Sequence, residues 1–159
     1  MTKMGSNGFH IREPELSDRA EWEVHWNDYL VFYESTIPQG HTDKLWERIH
    51  DDDHPIRAFV AERTTDSSLI GIVHFFPHLD TWEIRPVCYL QDLFVAEDAR
   101  LKHVGTELIR KVKEFSDREG WVFVYWQTRH DNITARHLYD KLTGGTTGSV
   151  TYQLGMRTE

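Results

Sequence analysis

The sequence is poor in cysteine, proline and positive charge, and it lacks any long apolar run. Its single cysteine, Cys88, excludes an internal disulfide and a thiolate metal cage, in keeping with a reducing compartment. No stretch approaches the roughly 20 apolar residues that cross a bilayer, and the opening MTKMGSNGF has no apolar signal-peptide core. A cytoplasmic protein is therefore expected. Lys and Arg number 18 against 26 Asp and Glu, a formal net charge of -8, so the basic face that binding to nucleic-acid phosphates requires is missing. A cationic partner suits this balance better.

What is present is enough for one core. The chain has 159 residues, of which 39% are hydrophobic and 13% aromatic, and two separate cores would each fall near the lower limit of self-sufficient burial. The expectation is a flexible N-terminus over residues 1–8 and a single domain over 9–156. FHIRE at 9–13 alternates and runs into Pro14, which reads as a strand. Ser17 is placed to cap a helix in which Trp22, Trp26, Tyr29, Leu30 and Tyr33 recur at helical spacing, until Pro38-Gln39-Gly40 interrupts. A short second helix is expected from Thr42 to Ile49.

Three strands follow, Arg57–Arg63, Leu69–Phe76 and Val87–Val95, and together they read as an antiparallel meander. Val104, Leu108, Val112 and Phe115 then stripe a helix over about 101–119 that Gly120 ends. Trp121–Thr128 reads as a strand, Asn132 to about Leu142 as a helix, and Ser149–Leu154, after a glycine-rich turn, as a last strand. The order implies a mixed α/β fold with a parallel crossover near residues 87–128. In such sheets ligands bind beyond the strand C-termini, where the next helix presents unpaired N–H groups.

The segment YLQDLFVAEDARLKHVGTELI (89–109) is a strand, a loop and a helix start. Backbone N–H groups at such a helix start, with the positive end of the helix dipole, can cradle a pyrophosphate. The loop Arg100-Leu101-Lys102-His103-Val104-Gly105 resembles the acetyl-CoA motif of the GNAT superfamily, in which Arg or Gln is followed by two residues, Gly, one residue, and Gly or Ala. Arg100 and Gly105 match, and His103 stands where the first glycine belongs. Further on, Asn132, Ala135 and Tyr139 in VYWQTRHDNITARHLYDKL (124–142) reproduce the superfamily's asparagine, alanine and tyrosine spacing. Seven residues make nearly two helical turns, which sets Asn132 and Tyr139 on one face.

The resemblance extends from Ile11 to Leu154 and is closest to the fungal histone and D-amino-acid acetyltransferases, with the spermidine/spermine acetyltransferases nearby. It implies a single-domain acyl-CoA N-acyltransferase fold with six to seven strands and about four helices. It implies acetyl-CoA as cosubstrate, no metal, and a homodimer. Leu93, Phe94 and Val95 would lie along the pantetheine, Arg100, Leu101, Lys102, His103, Val104, Gly105 and Thr106 would hold the pyrophosphate, and Asn132 with Ala135 would hold the pantetheine arm. Tyr139 would donate to the departing thiolate, as a phenol protonated at neutral pH can.

An attacking amine must be neutral, so a base or a water path has to remove a proton. The polyamine branch carries a glutamate beside the aspartate of its fourth strand; here Gln91 takes that place and Asp92 remains. Asp92 is the leading candidate for a water-linked base or an ammonium anchor, with a carboxylate that pairs with a nearby cation or caps backbone as its open alternative, and Glu34 is the second candidate. Trp26, Tyr33, Trp82 and Gln91 are candidates for the acceptor pocket, since aromatic faces attract ammonium groups. Core packing remains the alternative for the aromatics. Cys88 lacks an adjacent base and is not expected to be a nucleophile. His74 with His78, and His50 with Asp51, Asp53 and His54, could look like metal ligands but lack a second set at defined spacing. Acetylation of a polyamine, an amino acid or a basic peptide is expected. A xenobiotic-amine acetyltransferase and a non-catalytic acetyl-CoA-binding module are the competing functions, and neither nucleic acid nor membrane is expected as a partner.

Overall fold

The structure, a computed structural model, describes residues 7–100 and 103–155. The expected flexible segment 1–8 falls mostly outside them, as do Leu101 and Lys102. The described chain falls into two compact units divided between Trp126 and Gln127. The first contains β1 (Phe9–Arg12), a 3₁₀ turn at Leu16–Asp18, α1 (Arg19–Phe32), α2 (Gln39–Ile49), β2 (Arg57–Arg63), β3 (Leu69–His78), β4 (Val87–Val95), a 3₁₀ turn at Glu97–Ala99, α3 (Val104–Glu119) and β5 (Val124–Tyr125). The second contains α4 (Ile133–Thr143).

The sheet runs β1-β2-β3-β4-β5. The first three pairings are antiparallel, and the return through α3 brings β5 in parallel to β4, with Cys88 opposite Val124 and Tyr89 opposite Tyr125. A parallel neighbour requires such a crossover, because a tight turn can only reverse the chain. Each sheet face buries its own set of side chains. On one, Trp22, Trp26, Trp46 and Ile49 from α1 and α2 pack on Ala58, Val60, Leu69 and Ile72, with Phe94 at the margin. On the other, Phe59 and Phe75 meet Phe115 of α3 with ring centroids 5.9 and 5.5 Å apart. Gly71 lets α3 settle closely there, since a Cβ at that position would stand 3.1 Å from both Leu108 Cδ1 and Val104 Cγ1. Gly120, at φ 75°, ends α3 in the left-handed conformation that glycine adopts without a steric penalty.

Strand count departs from expectation, five among the described residues instead of six to seven. Trp121–Thr128 contracts to Val124–Tyr125, and Ser149–Leu154 is not a strand. Val150, Tyr152 and Leu154 alternate as strand residues do, yet they are exposed. Alternation supplies a face, but a strand exists only where a neighbour supplies backbone partners.

The start of α1 also differs. Asp18, not Ser17, organises it: the Asp18 carboxylate accepts the Glu15 backbone N–H at 2.7 Å and binds both terminal nitrogens of Arg12, at 2.7 and 3.0 Å. Arg12 in turn reaches Glu62 of β2 at 2.5 Å, so the pair ties the helix to the sheet edge. The hydrogen bond from Arg12 holds the Asp18 carboxyl below its ordinary value. Its stabilisation is therefore complete above the usual carboxylate range, about pH 4, and disappears as pH falls through the lower native value. Asp18→Ala is expected to lose about 1–2 kcal/mol at pH 7 in urea unfolding. The gap to the parent should shrink with acidification; a gap that stays constant to pH 2 would contradict this account.

Candidate active site

The β3/β4 register slips once. His74 lies opposite Asp92 but Phe75 lies opposite Leu90, so Gln91 is an extra residue in β4, a β-bulge. In a regular strand Tyr89 and Asp92, three positions apart, would point to opposite faces. The bulge puts both on the α1 face: Tyr89 packs on Phe76 at 5.7 Å between centroids, and Asp92 meets His74. Cys88, with its thiol bonded to Ser116 of α3, points the other way.

Asp92 is only 8% exposed, and a buried carboxylate is tolerable only when hydrogen-bonded. His74 Nδ1 lies 3.0 Å from Asp92 Oδ2, while Trp22 Nε1 donates to His74 Nε2 at 3.0 Å. An indole N–H can only donate, so Nε2 must accept and the ring proton must sit on Nδ1, directed at the carboxylate. Tyr29 of α1 also donates its hydroxyl to Asp92. Burial, and then the neighbouring Asp92 charge, push that phenol well above its ordinary pKa, which keeps it a donor. Tyr89 is likewise raised by burial, with Tyr125, Asp92 and Tyr33 contributing.

Just before the bulge, β4 leaves its second neighbour. Only Cys88 and Tyr89 pair with β5, so the edge from Leu90 to Val95 on that side has no strand partner among the described residues. Backbone groups point outward along this edge at alternate residues of the Leu93–Val95 stretch, and an amide-bearing chain could pair with those. The strand leads through Glu97–Ala99 and Arg100 to the first turn of α3, where Val104, Gly105 and Thr106 present N–H groups that helix geometry leaves without intrahelical acceptors. These donors, at the positive end of a 16-residue helix, suit a pyrophosphate. Arg100 is exposed beside them, donating to the Val95 carbonyl at 3.2 Å.

His103 precedes this turn at φ 62°. The glycine expected in its place thus has a backbone reason as well as a spatial one, because the position is left-handed. The imidazole itself is exposed. In the second unit, Asn132 caps α4 and donates to Thr128 Oγ1 at 3.2 Å; Asn132, Ala135 and Tyr139 are half-buried while Ile133, Thr134, His137 and Asp140 are exposed. The three thus share the helix's less exposed side.

A family model described as Acetyltransferase (GNAT) family matches residues 19–144. The chain is 32% identical over 140 residues to the D-amino-acid N-acetyltransferase HPA3 of Saccharomyces cerevisiae, covering 88% of this chain and 87% of that protein. The chain belongs to the GNAT acetyltransferase family. It is also 29% identical to the uncharacterized N-acetyltransferase YhfO of Bacillus subtilis, over 83% of this chain and 87% of that one. Among solved structures, the aminoglycoside N-acetyltransferase AAC(6')-Iy in complex with CoA superposes with a TM-score of 0.77 at 18% identity, covering 98% of this chain and 99% of that chain, a likeness of fold. This GNAT chain is accordingly an acetyl-CoA-dependent N-acetyltransferase.

Within the GNAT fold the remaining expected residues scatter. Trp26 is in the core, stacked between Trp22 and Tyr29 with its indole N–H on Thr42 Oγ1, and does not lie on an open surface. Tyr33 is half-buried at the C-terminal end of α1, its ring 4.8 Å from Tyr29. Glu34 follows at φ 54°, exposed in a left-handed position. Trp82 is 95% exposed in the loop after β3, and Gln91 is exposed at the bulge. His74 and His78 have separate partners, Asp92 and the Tyr125 hydroxyl. Among the described residues there is no group of three or more His, Cys, Asp or Glu side chains that could hold a metal. No described helix is long and apolar enough to cross a membrane. Trp22, Tyr29, Tyr89 and His74 surround Asp92 through tertiary packing, which helical spacing along α1 and alternation along β3 and β4 did not reveal. The one available clue in the sequence was a histidine inside the otherwise apolar run LIGIVHFF.

Burial pushes the Cys88 thiol up to about 11. Since only the thiolate reacts, iodoacetamide at pH 8 should leave the native protein unmodified and label one thiol after denaturation. Rapid native labelling would overturn that assignment. His103→Gly should raise the unfolding free energy by about 1 kcal/mol, because the left-handed conformation costs a side-chain-bearing residue and not glycine. Denaturant titration measures it, and an unchanged midpoint would show that the strain is absent.

Proposed function

We propose that the chain transfers the acetyl group of acetyl-CoA directly to a primary amine in a ternary complex, with residues 9–156 acting as one catalytic domain. The observation that carries this reading is the alignment, along one strand and its following loop, of a buried carboxylate, an unpaired backbone edge and an anion-binding helix start. Arg100 to Thr106 hold the pyrophosphate. Leu93 to Val95 pair with the pantetheine, assisted by Asn132 with the space left by Ala135. The cosubstrate supplies a thioester, whose carbonyl a backbone N–H of Phe94 or Val95 polarises.

The acceptor enters as an ammonium ion near Asp92, with Tyr33, Gln91 and Trp82 toward the outside, and loses a proton through water to Asp92 or Glu34. The neutral amine attacks the thioester carbon; as the carbon–sulfur bond breaks, Tyr139 gives a proton to the sulfur, and the proton shed by the nitrogen returns to the phenol through water. Among polyamines, amino acids and basic peptides, an amino acid is favoured by the similarity to a D-amino-acid N-acetyltransferase. The enzyme works in the cytoplasm as a homodimer. His103, with a side chain where a glycine would leave room, favours as a second reading a non-catalytic acetyl-CoA-binding module.

Acetyl-CoA is expected to raise the melting temperature, and a panel of D- and L-amino acids, polyamines, a lysine-rich peptide and an aminoglycoside should reveal acceptors by free-thiol release. Tyr139→Phe should lower kcat by about 100-fold with little change in the Kd for acetyl-CoA. Binding without thiol release on any amine would favour the module, and absence of binding would defeat both readings.

A further inference from the structure

Asp92 is held by an imidazole whose own protonation is dictated from behind. Trp22 is fully buried and its indole N–H has no geometry other than donation to His74 Nε2 at 3.0 Å. That nitrogen then accepts, and its lone pair is occupied. The only remaining ring proton is on Nδ1, 3.0 Å from Asp92 Oδ2. The His74 ring is only 2% exposed and is walled by Trp22 and Trp26 at 5.8 and 5.3 Å between centroids, so it cannot turn over to reverse the two nitrogens without opening the core. His74 and Asp92 are also register partners across β3 and β4, which fixes their separation through the backbone ladder.

We propose that His74 is a positioning residue for acceptor recognition: locked by Trp22 as the Nδ1–H tautomer, it occupies one oxygen of Asp92 and holds that carboxylate as a fixed anion for the acceptor's ammonium group. The inference rests on the reading of Asp92 as part of the acceptor site, and it selects between the two roles left open for that residue. A carboxylate already accepting from an imidazole and from the Tyr29 phenol has its orientation set and part of its acceptor capacity used. It is arranged to attract and orient a cation. Deprotonation of the amine then falls to water or to another group, which makes Asp92 an anchor and not the terminal base.

A structural pair would serve stability alone, whereas an anchor also shows in the affinity for one of the two substrates. The first measurement is made on the free wild-type protein: nitrogen and carbon NMR shifts of the His74 ring at neutral pH. The expected pattern is a protonated Nδ1, a bare Nε2 and a Trp22 indole proton shifted by hydrogen bonding, with the tautomer preference lost in Trp22→Phe. An Nε2–H tautomer or an imidazolium in the wild type overturns the lock.

The second measurement is steady-state kinetics with the best amine. His74→Leu should raise KM for the amine on the order of tenfold, as expected for a loosened charged hydrogen bond, with KM for acetyl-CoA little changed. His74→Gln, which retains one donor and one acceptor, should recover much of the loss. Unchanged amine KM in a folded His74→Leu protein, or an equal rise in both KM values, would overturn the positioning role. Should His74→Leu not fold, His74→Gln and the spectra still decide. Absence of thiol release from the wild type on every amine would instead defeat the transferase reading, and the spectra would judge the tautomer lock separately.

Discussion

A carboxylate placed beneath tryptophans has to be paired, and the site of this enzyme is organised around that requirement. Moving an unpaired ionised carboxyl out of water costs several kcal/mol even after relaxation. Asp92 meets the cost with an imidazole from the adjacent strand and a phenol from the overlying helix. Those donors must in turn be fixed. Trp22 fixes the imidazole, and the stack of Trp22, Trp26 and Tyr29 fixes the phenol. The aromatic richness of α1 thus serves packing and polarity together: its rings fill the core, and its indole and hydroxyl edges direct one buried charge.

The bulge at Gln91 is what brings Tyr89 and Asp92, three positions apart, onto one face of the sheet. Even-numbered Cys88 and Leu90 before it lie on the side covered by α3, whereas even-numbered Asp92 and Phe94 after it face α1 and α2. The same irregularity lies just past the last residues that β4 shares with β5, where the two strands part. The disruption of the β3/β4 ladder and the open edge on the β5 side thus fall within three residues of each other.

The left-handed residues carry a related lesson. Among the described residues, the non-glycine positions with positive φ are Glu34, Ser67 and His103. Two of these, Glu34 and His103, fall in segments that motif and charge had already singled out. Strained backbone persists where the surroundings over-determine it, and those surroundings are often sites of binding. At His103 the strain sits immediately before the helix turn suited to the pyrophosphate.

Elements long enough to carry a period were legible from the chain. The boundaries of β2 and β4, the stripe of Val104, Leu108 and Val112, and the stop at Gly120 follow from side-chain alternation, helical spacing and glycine's backbone freedom, all local properties. So was the family, because Arg100, Gly105, Asn132, Ala135 and Tyr139 form spacings within short segments. The helix start at Gln39, three residues before Thr42, was hidden because Pro38 reads as a breaker when in fact it caps the helix with extended ψ. The two-residue length of β5 and the absence of a strand at Ser149–Leu154 depended on which backbone edges had partners. The site shows the same division. A carboxylate at position 92 was visible, but its pairing with His74, eighteen residues earlier, and through it with Trp22, depended on a bulge that displaces strand register by one residue. Local spacing determined which residues are candidates for the chemistry. Only tertiary packing, by burying a charge and obliging it to find donors, decided which of them act together.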